Sequence, residues 1–234
     1  MFEPIFEEQN DYFCSLIIKG EFGNKVVNNL ASPIGNVDFN ILKLEEVTDL
    51  SDNVITFVIA DNLTETEWVK IRSATSSTIF VIGCASPVQE PQADSCFICE
   101  TSPELCIQTL ISMMKMIGGY GHVMTDFTDI RRVLIECGQQ KHVIYIESTH
   151  PEEAIERVLN QLSNKPIALD QVKGILLNMV IGEDFEFSNI YTIIDTIIAR
   201  IEEEVSETTL VIFGTTFDVN KQGQELGLNM IVSY

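Results

Sequence analysis

At 234 residues the chain can bury a sizeable core, in one large domain or two small ones. With 14 basic against 35 acidic residues the formal net charge is -21, a field that repels nucleic acid and the anionic face of a membrane and favours solubility or a basic partner. No charge-free apolar run reaches spanning length. The opening Met1-Phe2-Glu3-Pro4 carries an acid where a secretory leader carries Lys or Arg, so a cytoplasmic location is expected.

The apolar run 13–18 ends at Gly20. It is followed by the turn Gly20-Glu21-Phe22-Gly23-Asn24 and a helix-like stretch 25–30, which predicts strand, tight turn and helix. Residues 37–44 alternate as a second strand. The β-branched run 53–60 predicts a strand buried on both faces. Thr64, with Glu67 three residues on, has the pattern of a capping box at the start of a helix over 61–74. Residues 78–84 predict another buried strand, 85–93 a proline-containing loop and 95–100 a short strand. Within that strand, Cys96 and Cys99 lack a second cysteine pair at zinc spacing. With Cys14, Cys84, Cys106 and Cys137 they read as buried thiols, and no metal site is expected. The three histidines, His122, His142 and His150, are likewise too dispersed for a metal.

A long apolar helix is predicted over 103–117, stopped by Gly118, Gly119 and Gly121. A helix then starts near Asp126, and a strand follows over 141–147. Pro151 opens a further helix. After a strand over 172–181, a helix capped at Ser188 carries Ile190, Ile193, Ile194, Ile197 and Ile201 on one face. Strands over 208–216 and 227–234 flank a polar turn at 220–223. The second half thus reads β-α-β-α-β-β, helices on one mixed sheet.

The most informative stretch is Gly121-His122-Val123-Met124-Thr125-Asp126-Phe127-Thr128-Asp129. Asp126 and Asp129 lie three residues apart at a helix start. Two roles fit them: Asp126 as N-cap with Asp129 in the favourable first turn, or an acidic contact site. The segment resembles the loop that FtsZ, the bacterial tubulin relative, inserts into its neighbour's nucleotide pocket, where the family reads roughly Asn-x-Asp-Phe-x-Asp. Met124 takes the Asn position. Two further stretches are similar to the family: Gly174-Ile175-Leu176-Leu177-Asn178-Met179, and Val211-Ile212-Phe213-Gly214-Thr215-Thr216-Phe217-Asp218. Residues 225–232 take the place of its closing strand.

The resemblance implies an α/β, tubulin/FtsZ-like fold with three regions. These are a shortened parallel-sheet domain over 1–102, a central helix and acidic loop over 103–138, and an α+β domain over 139–234. It also implies where GTP would lie. Glycines let backbone amides close around phosphates at a helix N-terminus. Here the first such turn keeps Gly20, Gly23 and Asn24, but Glu21 places a carboxylate among them; Asn24 fits a cap of the first helix as well. The second turn reads Ala60-Asp61-Asn62-Leu63-Thr64-Glu65, with no glycine and two acids facing a triphosphate. The short passage from Glu100 to Ile107 leaves no room for the family's guanine-holding helix.

The expectation is a non-hydrolysing FtsZ-like protein without a bound cofactor, acting by protein contacts and capping or modulating FtsZ-type filaments in cell division. Asp126 and Asp129 would be its contact residues, and its partner FtsZ, a similar filament protein, or itself. Two alternatives stay open: a GTP-binding, self-assembling cytoskeletal GTPase, and a homo-oligomer indifferent to nucleotide. Ending at Tyr234 within a strand, the chain is expected to lack the tail by which FtsZ meets its membrane tethers.

Overall fold

A computed structural model describes residues 14–30, 39–60, 62–84, 92–99, 102–118, 121–165, 167–203 and 205–234. Asp61, Gly119, Glu100 and most of the loop predicted over 85–93 lie outside them.

Nine strands form one sheet in the order β2-β1-β3-β4-β5-β6-β9-β7-β8. The strands are β1 (Cys14–Lys19), β2 (Phe39–Lys43), β3 (Ile55–Ala60), β4 (Thr78–Cys84), β5 (Ser95–Ile98), β6 (Gln140–Ser148), β7 (Gly174–Ile181), β8 (Leu210–Phe217) and β9 (Leu226–Ser233). Strands β1 to β6 are mutually parallel; β9 runs antiparallel to both β6 and β7, and β8 returns parallel to β7. Strands covered on both faces need apolar side chains in both directions, which is why β3 and β7 read as nearly continuous apolar runs rather than as alternation.

Helices α1 (Gly20–Asn29) and α3 (Pro103–Gly118) cover one face. Their core holds Leu16, Phe57, Phe80 and Phe97 under Leu110, Met113 and Met114, and continues across the sheet to Leu176 and Ile231. Phe57, Phe80 and Phe97 stack in turn at ring separations of 5.8 and 5.6 Å. On the opposite face α2 (Glu65–Ala74) buries Trp68 and Ile71. There α5 (Pro151–Ser163) and α6 (Phe187–Glu202) cover the other end of the sheet. The short α4 (Phe127–Arg131) runs on into a π-helical turn, Arg132–Glu136. Cys14, Cys96, Cys99, Cys106 and Cys137 are buried free thiols, as their apolar neighbours predict.

Two local expectations are corrected. The residues Gly20 to Asn24 form no separate turn: α1 starts at Gly20 itself, whose φ of 81° reverses the chain directly out of β1. Asn24 therefore does not cap that helix. Its Nδ2 donates to the Gly20 carbonyl at 2.8 Å, one turn back. Ser188 does not cap α6 either, because the N-cap position is Glu186; Ser188 lies inside the helix and its hydroxyl donates to the Glu186 carboxylate at 2.9 Å.

Candidate functional site

In open parallel sheets ligands collect beyond the carboxyl ends of the strands, where the strand order reverses. Here that point lies between β1, which pairs with β2 on one side, and β3 on the other. The Lys19 ammonium spans it, donating to the Asn62 carbonyl and to the Glu67 carboxylate, both at 2.8 Å. Glu67 also accepts from the Thr64 amide and hydroxyl, while Thr64 Oγ1 accepts from the Glu67 amide at 3.3 Å. The expected capping box is therefore present, and it ties the N-terminus of α2 to the end of β1. Lys19 first, then the Thr64 N–H, hold the Glu67 carboxyl down at about 2.

The first turn of α1 packs on the ends of β1 and β3. A Cβ on Gly23 would stand 3.0 Å from the Ile59 carbonyl and 3.2 Å from Ile18 Cβ, so its missing side chain lets α1 press on the strand ends. Glu21 is exposed and pairs with Lys25 at 2.7 Å, which lowers its pKa. The Phe22 ring lies over Gly83, whose φ is 91° and whose Cβ would meet the ring at 2.6 Å. Helix N-termini attract anions because their first amides lack partners. At α2 the box engages Glu67, and Glu67 holds Lys19, so a phosphate drawn to that ammonium has to displace Glu67.

The acidic loop is built in the opposite sense. Residues 121–126 run along the free edge of β8, tied by the Thr215 amide to the Val123 carbonyl and by the Val123 amide to Thr215 Oγ1, both at 2.8 Å. Thr125 Oγ1 donates to the Phe213 carbonyl at 3.1 Å. Only glycine fits at 121, where a Cβ would come within 1.8 Å of the Thr215 oxygen. Exposure alternates along the segment: Val123 and Thr125 are half-buried, whereas His122, Met124 and Asp126 face outward. Asp126 is the N-cap of α4, accepting the Thr128 amide at 2.6 Å, and that bond holds its pKa below the usual range. Asp129, half-buried in the first turn, lies 3.5 Å from Arg132. The structure thus gives Asp126 a capping role, places Asp129 beside it, and sets Gly20, Gly23 and Asn24 together in the first turns of α1.

The motif residues of the second half hold this loop in place. Buried Asn178 donates to Ser112 at 3.1 Å and to Thr216 at 3.2 Å, joining α3 to β7 and β8. Lys115, largely buried, pairs with Asp218 at 2.7 Å and keeps that carboxyl below its usual range against the opposing effect of burial. The sequence reading passed over Lys19, Phe22 and Lys115. A base immediately before Gly20, with a capping-box carboxylate just after β3, was the available signal for Lys19.

No protein-family model matches the chain. A segment of 107 residues is 30% identical to the cell division protein FtsZ of Wolbachia pipientis, covering 44% of this chain and 32% of that protein. A second Wolbachia FtsZ matches over 107 residues at the same identity and 26% of its length. The match therefore spans about a third or less of these relatives. Among solved structures, an empty FtsZ dimer from M. jannaschii superposes with a TM-score of 0.75 at 13% identity, over 97% of this chain and 89% of that one. TubZ of Bacillus thuringiensis in GDP-form protofilaments gives 0.63 at 9% identity, over 94% and 83%. GDP-bound CetZ1 of Haloferax volcanii gives 0.62 at 9% identity, over 95% and 94%. The chain shares the fold of these FtsZ, TubZ and CetZ1 structures. Among the described residues no helix is long and apolar enough to cross a membrane.

Proposed function

We propose that this chain is a non-hydrolysing, cytoplasmic FtsZ-like protein that acts through protein contacts, capping or modulating FtsZ-type filaments in cell division. The observation that carries the reading is the Lys19–Glu67 bridge at 2.8 Å, lying where the strand order reverses. A triphosphate there meets a carboxylate already bound to the Lys19 ammonium and to the cap of α2, with Glu21 and Glu65 exposed nearby. Bringing its charge beside theirs in a partly dry crevice is costly. The acidic loop remains presented. Asp126 and Asp129 dock on the nucleotide-bearing end of an FtsZ subunit, while the opposite end offers no nucleotide to the next one. Addition stops on that side.

Calorimetric titration with GTP, and sedimentation with FtsZ and GTP, test this. The expected outcome is no heat of GTP binding, together with shorter filaments and an altered FtsZ GTPase rate at substoichiometric protein. Unchanged filament length and rate at equimolar protein refute it. One observation favours a GTP-binding, self-assembling protein instead: Lys19 is a cation at a helix N-terminus, and a phosphate could exchange for Glu67 there. Measurable GTP binding by the purified chain decides for that reading. Self-association without nucleotide or FtsZ decides for a homo-oligomer.

A further inference from the structure

Two thiols meet where the central helix leaves the sheet. Cys99 follows β5, Cys106 lies in the first turn of α3, and both are fully buried. Two successive turns fold the chain back between them: the Ser102 amide donates to the Cys99 carbonyl at 2.9 Å, and the Cys106 amide to the Ser102 carbonyl at 3.1 Å. Cys106 and Thr109, three residues apart, share a face of α3. The Cys99 sulfur lies 3.9 Å from Thr109 Oγ1 and has the Cys106 thiol as its chief polar neighbour. On the strand side both sulfurs border Gly83. Its N–H donates to the Cys99 sulfur, and Cys106 Sγ lies 3.2 Å from where a Cβ at 83 would stand.

A buried thiol is ordinarily inert, because the thiolate is the reactive form and an oxidant must reach it. Both conditions are eased here. Cys106 first, then Thr109 and the Gly83 N–H, hold the Cys99 thiol below its ordinary range against the opposing effect of burial. The cover is also thin. Gly83 has no side chain, and the ring lying over it is that of Phe22 on α1; both residues are only half-buried. Rotating that ring aside admits a small oxidant without unfolding the sheet.

We propose that Cys99 and Cys106 are a reversible disulfide latch closed by hydrogen peroxide. The Cys99 thiolate attacks one peroxide oxygen and the O–O bond breaks, leaving a sulfenic acid and a hydroxide that takes up the proton Cys99 released. The Cys106 sulfur then attacks the Cys99 sulfur. The S–S bond forms, the S–O bond breaks, and the departing hydroxide leaves with the Cys106 proton as water. Two thiols and one peroxide thus become one disulfide and two waters, and an external dithiol reverses the step by exchange. In a reducing compartment such a bond is transient and serves sensing rather than stability. Its effect is mechanical. It ties the head of α3 to the end of β5, while further along the same helix Ser112 holds Asn178 and Lys115 holds Asp218. The inference goes beyond the proposed function and requires neither GTP nor FtsZ.

The test treats the purified full chain with hydrogen peroxide, then counts thiols after denaturation and maps the linked peptides by mass spectrometry. The pair is expected to vanish from the six thiols, with Cys99 joined to Cys106 and dithiothreitol restoring both. Cys106→Ser removes the resolving thiol, so a dimedone adduct is expected on Cys99. Cys137→Ser keeps the pair and should close like wild type. Phe22→Ala, with circular dichroism verifying its fold, is expected to close about tenfold faster. In oxidised wild type, amide exchange over residues 102–110 should slow by about tenfold. Six thiols persisting in peroxide-treated wild type overturn the latch, and so does a disulfide mapped to any other pair.

Discussion

Replacing Lys141 with methionine should make the protein more stable, by an amount that depends on pH. Lys141 is fully buried on β6, with its ammonium donating to the Gly138 carbonyl. Burial pushes its pKa down from 10.5 to about 7, and like-charged Lys173 acts in the same direction. A native pKa below the unfolded one means that the unfolded chain holds a proton the native state releases between about 7 and 10.5. Stability therefore rises with pH across that window, and the full penalty is present below about 7. At about 1.4 kcal/mol per pH unit, the gap from 10.5 to about 7 corresponds to about 5 kcal/mol as an upper bound. Lys141→Met removes it and loses one hydrogen bond to Gly138, about 1 kcal/mol, so a gain of about 2–4 kcal/mol is expected at about pH 6. The gain should shrink steadily toward pH 10.5. Urea unfolding of both proteins at about pH 6, 7.5 and 9 reads the difference. A variant no more stable at the lowest of these, with a parallel pH profile, means that the ammonium is not carried uncompensated in the core.

Other expectations follow from the two ends of the molecule. Glu67, held at about 2, contributes stability that is present above its unfolded value near 4.3 and is lost as pH falls toward 2. Lys19→Met removes the main cause, so its acid unfolding should begin at higher pH than that of wild type; superimposed acid melts would show the bridge to be inconsequential. Gly121→Ala drives a Cβ onto the Thr215 carbonyl and should cost about 2–4 kcal/mol in urea unfolding, whereas a loss under about 0.5 kcal/mol means that the loop leaves β8 freely. Asp126→Ser keeps an N-cap acceptor but removes the charge. Its melting temperature should stay within a degree or two of wild type while co-sedimentation with FtsZ falls, and unchanged co-sedimentation would reduce Asp126 to a cap.

The elements that were legible in the sequence are those whose signals are local. The density of Ile and Val in β3 and β7 announced buried strands, and Thr64 with Glu67 announced a helix start. Gly118 closed α3 where expected. Failures came where a distant partner or backbone geometry decides. Gly20-Glu21-Phe22-Gly23-Asn24 reads as a turn because glycines and Asn favour turns, yet a single positive φ at Gly20 and the Glu21–Lys25 pair are enough to start the helix there. Ser188 carries a capping residue's chemistry two positions too late, and only the dihedral angles of Glu186 place the boundary. The closing of the crevice was least legible. It joins Lys19 to Glu67 across 48 positions, a pairing that becomes evident only once β1 and β3 lie side by side.

The two ends also differ in how their polar groups are satisfied, and this difference gives the proposed function its direction. At the crevice, Lys19 is taken up by Glu67 and Asn62, and the cap of α2 has its own box. Binding there exchanges one set of hydrogen bonds for another and adds like-charge repulsion. At the loop, internal bonds serve the opposite purpose. Thr215, Phe213, Asn178 and the Lys115–Asp218 pair fix the backbone and the central helix, while Asp126, Met124 and Tyr191 stay turned to solvent. Rigid support behind an exposed contact lowers the entropy lost on docking, whereas satisfied groups within a crevice raise the cost of opening it. Under the proposed function, such a subunit would engage a filament with one end and offer no nucleotide at the other.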